Sequence, residues 1–212
     1  MNGSQNSDRV LSDPYIVASD EAGHAILAHI LGREIECIQL TLNVRGTYNG
    51  ITIYRQPCLP PHIDPDVPYE KIKIHIQQLD REIPLWLPDG VSGIRVIHCA
   101  GQAAQILLCR QKGVSEMLAT LGMGDCRLII RSLKEEGIPK QQWKEQFREA
   151  QSLALQILSS PACSAVVENL TTFLLTKIYH AQTHNSNHIR VEGHDIQNII
   201  STAFRDFARQ PS

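Results

Sequence analysis

The sequence has no long apolar run, no excess of charge of one sign and few aromatic residues. Apolar stretches such as residues 25–28 fall far short of the ~20 residues that a membrane-spanning helix needs. The 20 basic residues are balanced by 22 acidic ones, which excludes the strongly basic surface typical of proteins that bind nucleic acids or anionic membranes. Residues 1–8 lack the basic and apolar blocks of a signal peptide. We therefore expect a soluble, cytoplasmic protein with no membrane span and no nucleic-acid partner.

Paired cysteines and a nucleotide-binding loop are also lacking. The six cysteines include no Cys-x-x-Cys pair, which excludes a zinc ribbon and a dithiol redox motif. They are too sparse for a small secreted disulfide scaffold, so we expect most of them to be buried thiols. Since no Gly-x-x-x-x-Gly-Lys-Ser/Thr segment occurs, we expect no ATP site.

Apolar spacing predicts helices over most of the chain. A first helix is expected from the capping signal at residues 12–14 to Gly32. Further helices are expected near residues 69–82, 91–111, 125–136, 140–159, 161–182 and 193–208. Residues 35–44 and 50–55 are β-rich and flank turn residues at 45–50, which predicts a hairpin. The predicted fold class is α+β, mainly α, with a small β-hairpin or sheet.

The chain is expected to form a single domain over residues 13–208, because no repeat or flexible linker separates two cores. The polar residues 1–12 predict a disordered N-terminus, and residues 209–212 a short tail. Five prolines within residues 57–68 predict an irregular surface loop after the hairpin.

The most informative segment reads Asp-Glu-Ala-Gly-His at residues 20–24 in the first helix. Asp20 and His24 are four residues apart and therefore project from one face of the helix, with Glu21 beside them. This is the layout of the zinc-protease motif His-Glu-x-x-His, in which two side chains bind the metal and the glutamate activates a water molecule. The alternative is a solvated acidic helix face with an incidental histidine.

Residues 18–28 resemble the zinc-binding helix of the peptidase domain of FtsH-type membrane AAA proteases, which reads His-Glu-Ala-Gly-His-Ala. Residues 45–52 are similar to that family's Arg-Gly…Gly-Tyr-Thr strand, and residues 100–106 to its Gly-Gly-Arg-Ala-Ala-Glu-Glu helix. The helix that opens at Asp125 resembles the one that supplies an aspartate as the third metal ligand. Residues 57–68 look like an insertion.

The resemblance implies a fold of the FtsH-peptidase type and a metal site. Asp20, His24 and Asp125 would hold zinc or another divalent metal, and Glu21 would be the general base. An unfolded polypeptide or a protein partner would bind by strand addition at the hairpin, at Gly46, Gly50, Ile51 and Thr52. The resemblance also allows a homo-oligomer or an association with FtsH-type proteases.

The sequence departs from the family at four points. Asp20 replaces the first histidine ligand, and Gln105, a candidate neighbour of the metal ligands, stands where the family has an acidic residue. We expect neither the AAA module nor the membrane anchor of that family, because no Gly-x-x-x-x-Gly-Lys-Ser/Thr segment and no long apolar run occurs. A second carboxylate makes the site less positive and shifts its preference from zinc toward harder ions.

Two hypotheses therefore stay open. The first is a stand-alone, ATP-independent metallopeptidase with an altered Asp/His/Asp site, which the intact Glu21 and His24 favour. The second is an inactive pseudopeptidase that serves as a binding or regulatory module, including one that associates with true FtsH-type subunits. Asp20, Gln105 and the missing ATPase favour the second.

Three other groups are interpreted structurally. Histidines recur every four residues near a helix end, at His180, His184 and His188, and are expected to lie in a solvated terminus. Residues 122–124 read as a helix-start turn rather than a phosphate loop. His98 and Cys99 lie in an apolar helical stretch and are expected to be a core histidine and a buried thiol.

Overall fold

The computed structural model describes residues 14–55 and 92–209. Over these residues the chain forms, in order, α1 (Pro14–Ile30), β1 (Ile35–Leu42), β2 (Tyr48–Tyr54), α2 (Gly93–Lys112), α3 (Met123–Glu135), α4 (Trp143–Leu158), α5 (Pro161–Thr183), β3 (His188–Glu192) and α6 (Gly193–Ala208). Short 3-10 turns at Glu116–Leu118 and Lys140–Gln142 precede α3 and α4. The predicted α+β, mainly α fold class is confirmed.

The sheet has three antiparallel strands in the order β2-β1-β3. The predicted β1–β2 hairpin is confirmed, but its turn is shorter than expected: Gly50 lies in β2 opposite Leu40. The turn itself is closed by the Asn43 side chain, which accepts hydrogen bonds from the backbone N–H groups of Arg45 and Thr47. The third strand, β3, was not predicted, because its alternation of buried and exposed residues lasts for only five residues.

Helix boundaries follow the expected signals. Ser160 caps α5 by accepting a hydrogen bond from the backbone N–H of Cys163, and Pro161 occupies the first helical turn. The break before α4 has Gly137 at a φ of 69°, a left-handed conformation that favours glycine. The predicted helix over 140–159 begins as a 3-10 turn and becomes α-helical at Trp143.

Several predictions lie outside the described residues. These are the disordered residues 1–12, the capping residues before Pro14, the proline-rich loop 57–68, the helix near 69–82, Cys58 and residues 210–212. The other five cysteines are described, and four of them are buried as expected.

Helix α1 occupies the centre of the fold, with almost every residue from Ala18 to Ile30 buried. It contacts α2 most closely at Gly23, where an added Cβ would clash with the backbone oxygen of Ala100 and lie 2.8 Å from the Cβ of Ala104. Because Gly23 has no side chain, the two helices approach closely. Asp20 and His24, one turn apart on α1, therefore lie directly against α2.

Arg95 ties α2 to the helices that follow it. Its side chain is fully buried, and its guanidinium donates to the Glu136 carboxylate at 2.6 Å and to the Gln146 side-chain oxygen at 2.9 Å. Ser132 on α3 donates to the same Glu136 carboxylate at 2.7 Å. A buried charge requires partners of this kind, and the network fixes the C-terminal end of α3 against α2.

Of the helices in residues 14–55 and 92–209, no single one is long and apolar enough to cross a membrane. Only Lys140–Leu158 and Pro161–Thr183, bent by 86° at their junction, pass that test of length and composition when taken as a pair.

Replacing Gly23 with Ala should destabilise the protein by about 1–3 kcal/mol, the usual cost of forcing an extra carbon into a packed core. The reason is that the new Cβ would meet the backbone of α2, which cannot move without separating the two helices. Urea unfolding measures the effect. Gly124→Ala is the control, because no atom lies within 4 Å of its added Cβ and alanine favours a helix by up to about 1 kcal/mol. Equal stability of the two variants would contradict the close approach of α1 and α2.

Candidate metal centre

Helices α1 and α3 bring three potential ligands together. Asp20, His24 and Asp125 each offer one donor atom, and these atoms lie within 4.8 Å of one another. The His24 Nε2 lies 3.5 Å from Asp20 Oδ2 and 3.6 Å from Asp125 Oδ2. Both separations are too long for a normal hydrogen bond. They are close to the roughly 3.4 Å that separates two ligands at about 2.1 Å from a tetrahedral zinc ion.

In Asp20 and His24, the polar atoms that face away from the other ligand candidates are held by hydrogen bonds. His24 Nδ1–H donates to the backbone oxygen of Ile97 at 2.7 Å, which leaves Nε2 free to bind a metal. Gln105 Nε2 donates to Asp20 Oδ1 at 2.6 Å. The orientation of the Gln105 amide is fixed because its oxygen accepts from the backbone N–H of Thr120 at 2.9 Å. Gln105 therefore lies beside the metal-ligand candidates, where the sequence analysis expected it.

Asp125 is held in the same way by a residue that the sequence analysis did not assign to the site. His98 is buried as expected of a core histidine, but its Nδ1 lies 3.0 Å from Asp125 Oδ1. Its Nε2 lies 3.4 Å from the Tyr54 hydroxyl. One signal in the sequence could have indicated this role: His98, Gly101 and Gln105 are spaced to share one face of α2.

Glu21 lies next to the three ligand candidates and is only 3% exposed. The Thr52 hydroxyl donates to Glu21 Oε2 at 2.6 Å. Burial raises the pKa of the Glu21 carboxyl to about 7; nearby His24 opposes this rise, and the negative charge of Asp20 adds to it. Glu21 can therefore gain and lose a proton near neutral pH.

Two glycines give these side chains the space they occupy. A Cβ added at Gly101 would clash with Asp20 Oδ1 and lie 2.6 Å from His24 Nε2. One added at Gly50 would clash with the Glu21 carboxylate and lie 2.6 Å from its Cγ. Gly50, predicted as part of a substrate strand, thus also makes room for the buried base candidate.

A cleft of about 780 Å³ opens over the site. The cleft is lined by the three ligand candidates, by Glu21 and by β2. Gly50, Thr52 and Tyr54 alternate along β2; Gly50 and Thr52 lie against Glu21 of α1 and Tyr54 against His98 of α2, whereas Ile51 is exposed. Among the described strands β2 pairs only with β1, and residues from both of its faces line the cleft, which places its other edge there. Gly46 lies away from the cleft, in the hairpin turn, with a φ of 78°.

The remaining sequence candidates do not join the site. The His180 and His184 rings stack at 4.3 Å at the exposed end of α5, while His188 lies in β3 beside the Thr41 hydroxyl. In the part of the chain that the structure describes, Asp20, His24 and Asp125 are the one group of three potential ligands. Residues 122–124 open α3, as expected of a helix-start turn.

Replacing Gly101 with Ala should lower the affinity for Zn²⁺ by at least about tenfold, since disturbing the surroundings of metal ligands typically costs 10–100-fold. The added Cβ would displace Asp20 and His24 from their present positions. Competition with a chromophoric chelator measures the affinity, and Gly124→Ala is again the control. Unchanged affinity in Gly101→Ala would mean that these two side chains do not bind the ion.

Replacing Glu21 with Gln should stabilise the metal-free protein more at pH 8 than at pH 5. Because the folded-state pKa of Glu21 is about 7 and the ordinary value is 4.5, the folded protein binds more protons between these values than the unfolded chain. The free energy of unfolding therefore falls as pH rises through this window. The substitution removes that fall, which amounts to at most about 3 kcal/mol.

Urea unfolding at both pH values, with a chelator present, tests this expectation. Glu145→Gln is the control, because it makes the same chemical change at an exposed position on α4. If Glu21→Gln gave the same stability change at pH 5 and pH 8, the Glu21 carboxyl would not be buried as described.

Comparison with known proteins does not assign the chain to a family. No known protein family matches the sequence, and no curated protein matches it.

Proposed function

We propose that this protein is a metal-dependent peptidase, a divergent relative of the FtsH-type peptidase domain. Asp20, His24 and Asp125 would hold the divalent cation, and Glu21 would be the general base. The observation that carries the proposal is the convergence of three donor atoms within 4.8 Å, with the Glu21 carboxylate in the same cleft.

The residues present fit a divalent metal ion. One imidazole nitrogen and two carboxylate oxygens form a donor set that zinc accepts, and the second carboxylate makes harder ions good competitors. Each of the three side chains turns one atom toward a common point while a hydrogen bond holds its other polar atom. When bound, the metal would supply Lewis acidity toward water and the substrate carbonyl.

Glu21 is suited to move the proton in such a reaction. Burial raises the pKa of Glu21 to about 7 in the metal-free protein, and a bound cation would lower it, so the carboxylate would be ionised and able to accept a proton at neutral pH. The Thr52 hydroxyl fixes one oxygen of its carboxylate at 2.6 Å. Glu21 would accept a proton from the attacking water and pass it to the leaving amine.

The edge of β2 is suited to bind an extended polypeptide. Backbone N–H and C=O groups along a free strand edge can pair with an added antiparallel strand. The peptide would then lie in the cleft beside Glu21, where Ile16, Val17 and Leu128 provide apolar contacts. These features favour unfolded segments with apolar side chains as substrates.

Two features support the relationship to the FtsH-type domain. The Ala-Gly pair within residues 20–24 has a packing role, because Gly23 permits the close contact between α1 and α2. Asp125 lies in the first turn of α3 and faces His24, as the resemblance implied for a third ligand. A cytoplasmic location, a homo-oligomer and association with FtsH-type proteases stay predictions.

The alternative function is a pseudopeptidase that binds polypeptides without cleaving them. The substitution of Asp20 for a histidine favours it, since a less positive metal acidifies water less. The burial of Glu21 also favours this alternative, because a side chain that is only 3% exposed has little access to solvent. The two functions differ in turnover rather than in fold.

The first experiment is elemental analysis of untagged wild-type protein and of His24→Ala, followed by a nucleotide-free casein-cleavage assay. We expect about one equivalent of a divalent metal in the wild type and none in His24→Ala. Glu21→Gln should keep its metal and lose turnover by at least about a hundredfold, the usual contribution of a general base. Glu145→Gln should cleave like the wild type.

The outcomes separate the two functions. Metal without turnover in the wild type would support the pseudopeptidase. A wild-type protein that contains no metal and takes up none on titration would contradict the peptidase proposal.

A further inference from the structure

We propose that His98 is a positioning residue that determines which oxygen of Asp125 faces the metal, and that the Tyr54 hydroxyl holds His98 in place. This inference rests on the proposed metal site, but it does not require catalytic activity. It concerns residues that neither the sequence motif nor the resemblance assigned to the site.

The two oxygens of Asp125 have different surroundings. Oδ1 lies 3.0 Å from His98 Nδ1, and Oδ2 lies 3.6 Å from His24 Nε2. A hydrogen bond to Oδ1 restrains rotation of the carboxylate and keeps Oδ2 turned toward His24 and the proposed metal position. The contact therefore makes Asp125 a ligand with a defined orientation.

Asp125 needs such a restraint because of its place in α3. It is the third residue of the helix, after the exposed residues Met123 and Gly124. The Arg95 network holds the opposite end of α3, far from Asp125 along the helix. Without the His98 hydrogen bond, the carboxylate could rotate toward solvent or offer both oxygens.

The His98 ring has polar contacts at both of its nitrogens, which restrain its orientation. If Nδ1 carries the proton donated to Asp125, then Nε2 has a lone pair and accepts a hydrogen bond. The Tyr54 hydroxyl lies 3.4 Å from Nε2, in position to donate through a long, weak hydrogen bond. Hydrogen bonds thus run from Tyr54 to His98 and from His98 to Asp125.

The same face of β2 contacts the groups that hold two of the three carboxylates, those of Glu21 and Asp125. Thr52 donates directly to Glu21, and Tyr54, two residues along, acts on Asp125 through His98. Gln105 holds the outer oxygen of Asp20 by a hydrogen bond, as His98 holds that of Asp125. Three carboxylates lie around the His24 imidazole and repel one another. The hydrogen-bond donors that hold the outward-facing oxygens therefore determine whether the inward-facing oxygens come together.

The test compares Zn²⁺ affinity and the visible spectrum of the Co²⁺-loaded protein for the wild type, His98→Asn, His98→Gln and His98→Leu. The amide nitrogen of an asparagine would lie near the position of the ring Nδ1 and could still donate to Asp125. That of a glutamine would lie near the position of Nε2. The Asn and Gln variants are therefore matched in polarity and differ in which contact they keep.

We expect the Zn²⁺ affinity of His98→Leu and His98→Gln to fall by about 10–100-fold, the usual effect of losing a partner of a metal ligand. His98→Asn should recover most of that loss and keep the wild-type Co²⁺ spectrum, which reports ligand number and geometry. Tyr54→Phe, which removes one hydroxyl, should show a smaller loss in the same direction. Thermal melts of the metal-free variants verify that each is folded.

Two results would overturn the inference while leaving the metal site intact. One is a wild-type Co²⁺ spectrum and affinity in His98→Leu, and the other is an Asn variant as weak as the Gln variant. If His98→Leu does not fold, the Zn²⁺ affinities of the Asn, Gln and Tyr54→Phe variants still test the inference. A wild-type protein that binds neither Zn²⁺ nor Co²⁺ would overturn the proposed site and this inference together.

Discussion

The close contact between α1 and α2 at Gly23 determines the rest of the site. Because the helices touch there almost backbone to backbone, side chains one turn away on either helix share a single small volume. Asp20 and His24 enter this volume from α1, while Gln105 enters it from α2. Gly101 leaves that volume unfilled, since any side chain at this position would meet the two α1 residues. A larger residue in place of either glycine would fill or widen the space in which the polar groups meet.

Placing several carboxylates in a largely buried volume carries an electrostatic cost, and the structure offsets part of it. Burial alone would lower the pKa of His24, but the nearby Asp125 and Asp20 outweigh it, so the pKa lies well above its ordinary value. Burial likewise tends to raise the pKa of Asp125, and the contacts with His24 and His98 bring it below its ordinary value. The imidazole thus provides the positive charge that the carboxylates need. A divalent cation at the same point would provide it more effectively and would leave His24 neutral.

The helices and the α1 motif could be predicted from the sequence because both are local. Apolar spacing and caps fixed the limits of α2, α5 and α6, and the four-residue interval placed Asp20 and His24 on one face. Asp125 came only from resemblance, since about a hundred residues separate it from α1. His98 was interpreted as a core residue because its neighbours in sequence are apolar. Its partners, Tyr54 and Asp125, approach it only in three dimensions. Strand β3 is too short for an alternating pattern to stand out.

The position of β2 has a thermodynamic consequence. Its inner face carries the hydroxyls of Thr52 and Tyr54, and its outer edge borders the cleft. A peptide paired along this strand, as we propose, would restrain the same element that holds Glu21 and Asp125. Two ligands that order the same element favour each other's binding, and linkage requires the effect to be equal in both directions. An extended polypeptide on the β2 edge and a cation at Asp125 would thus each raise the affinity for the other by the same factor.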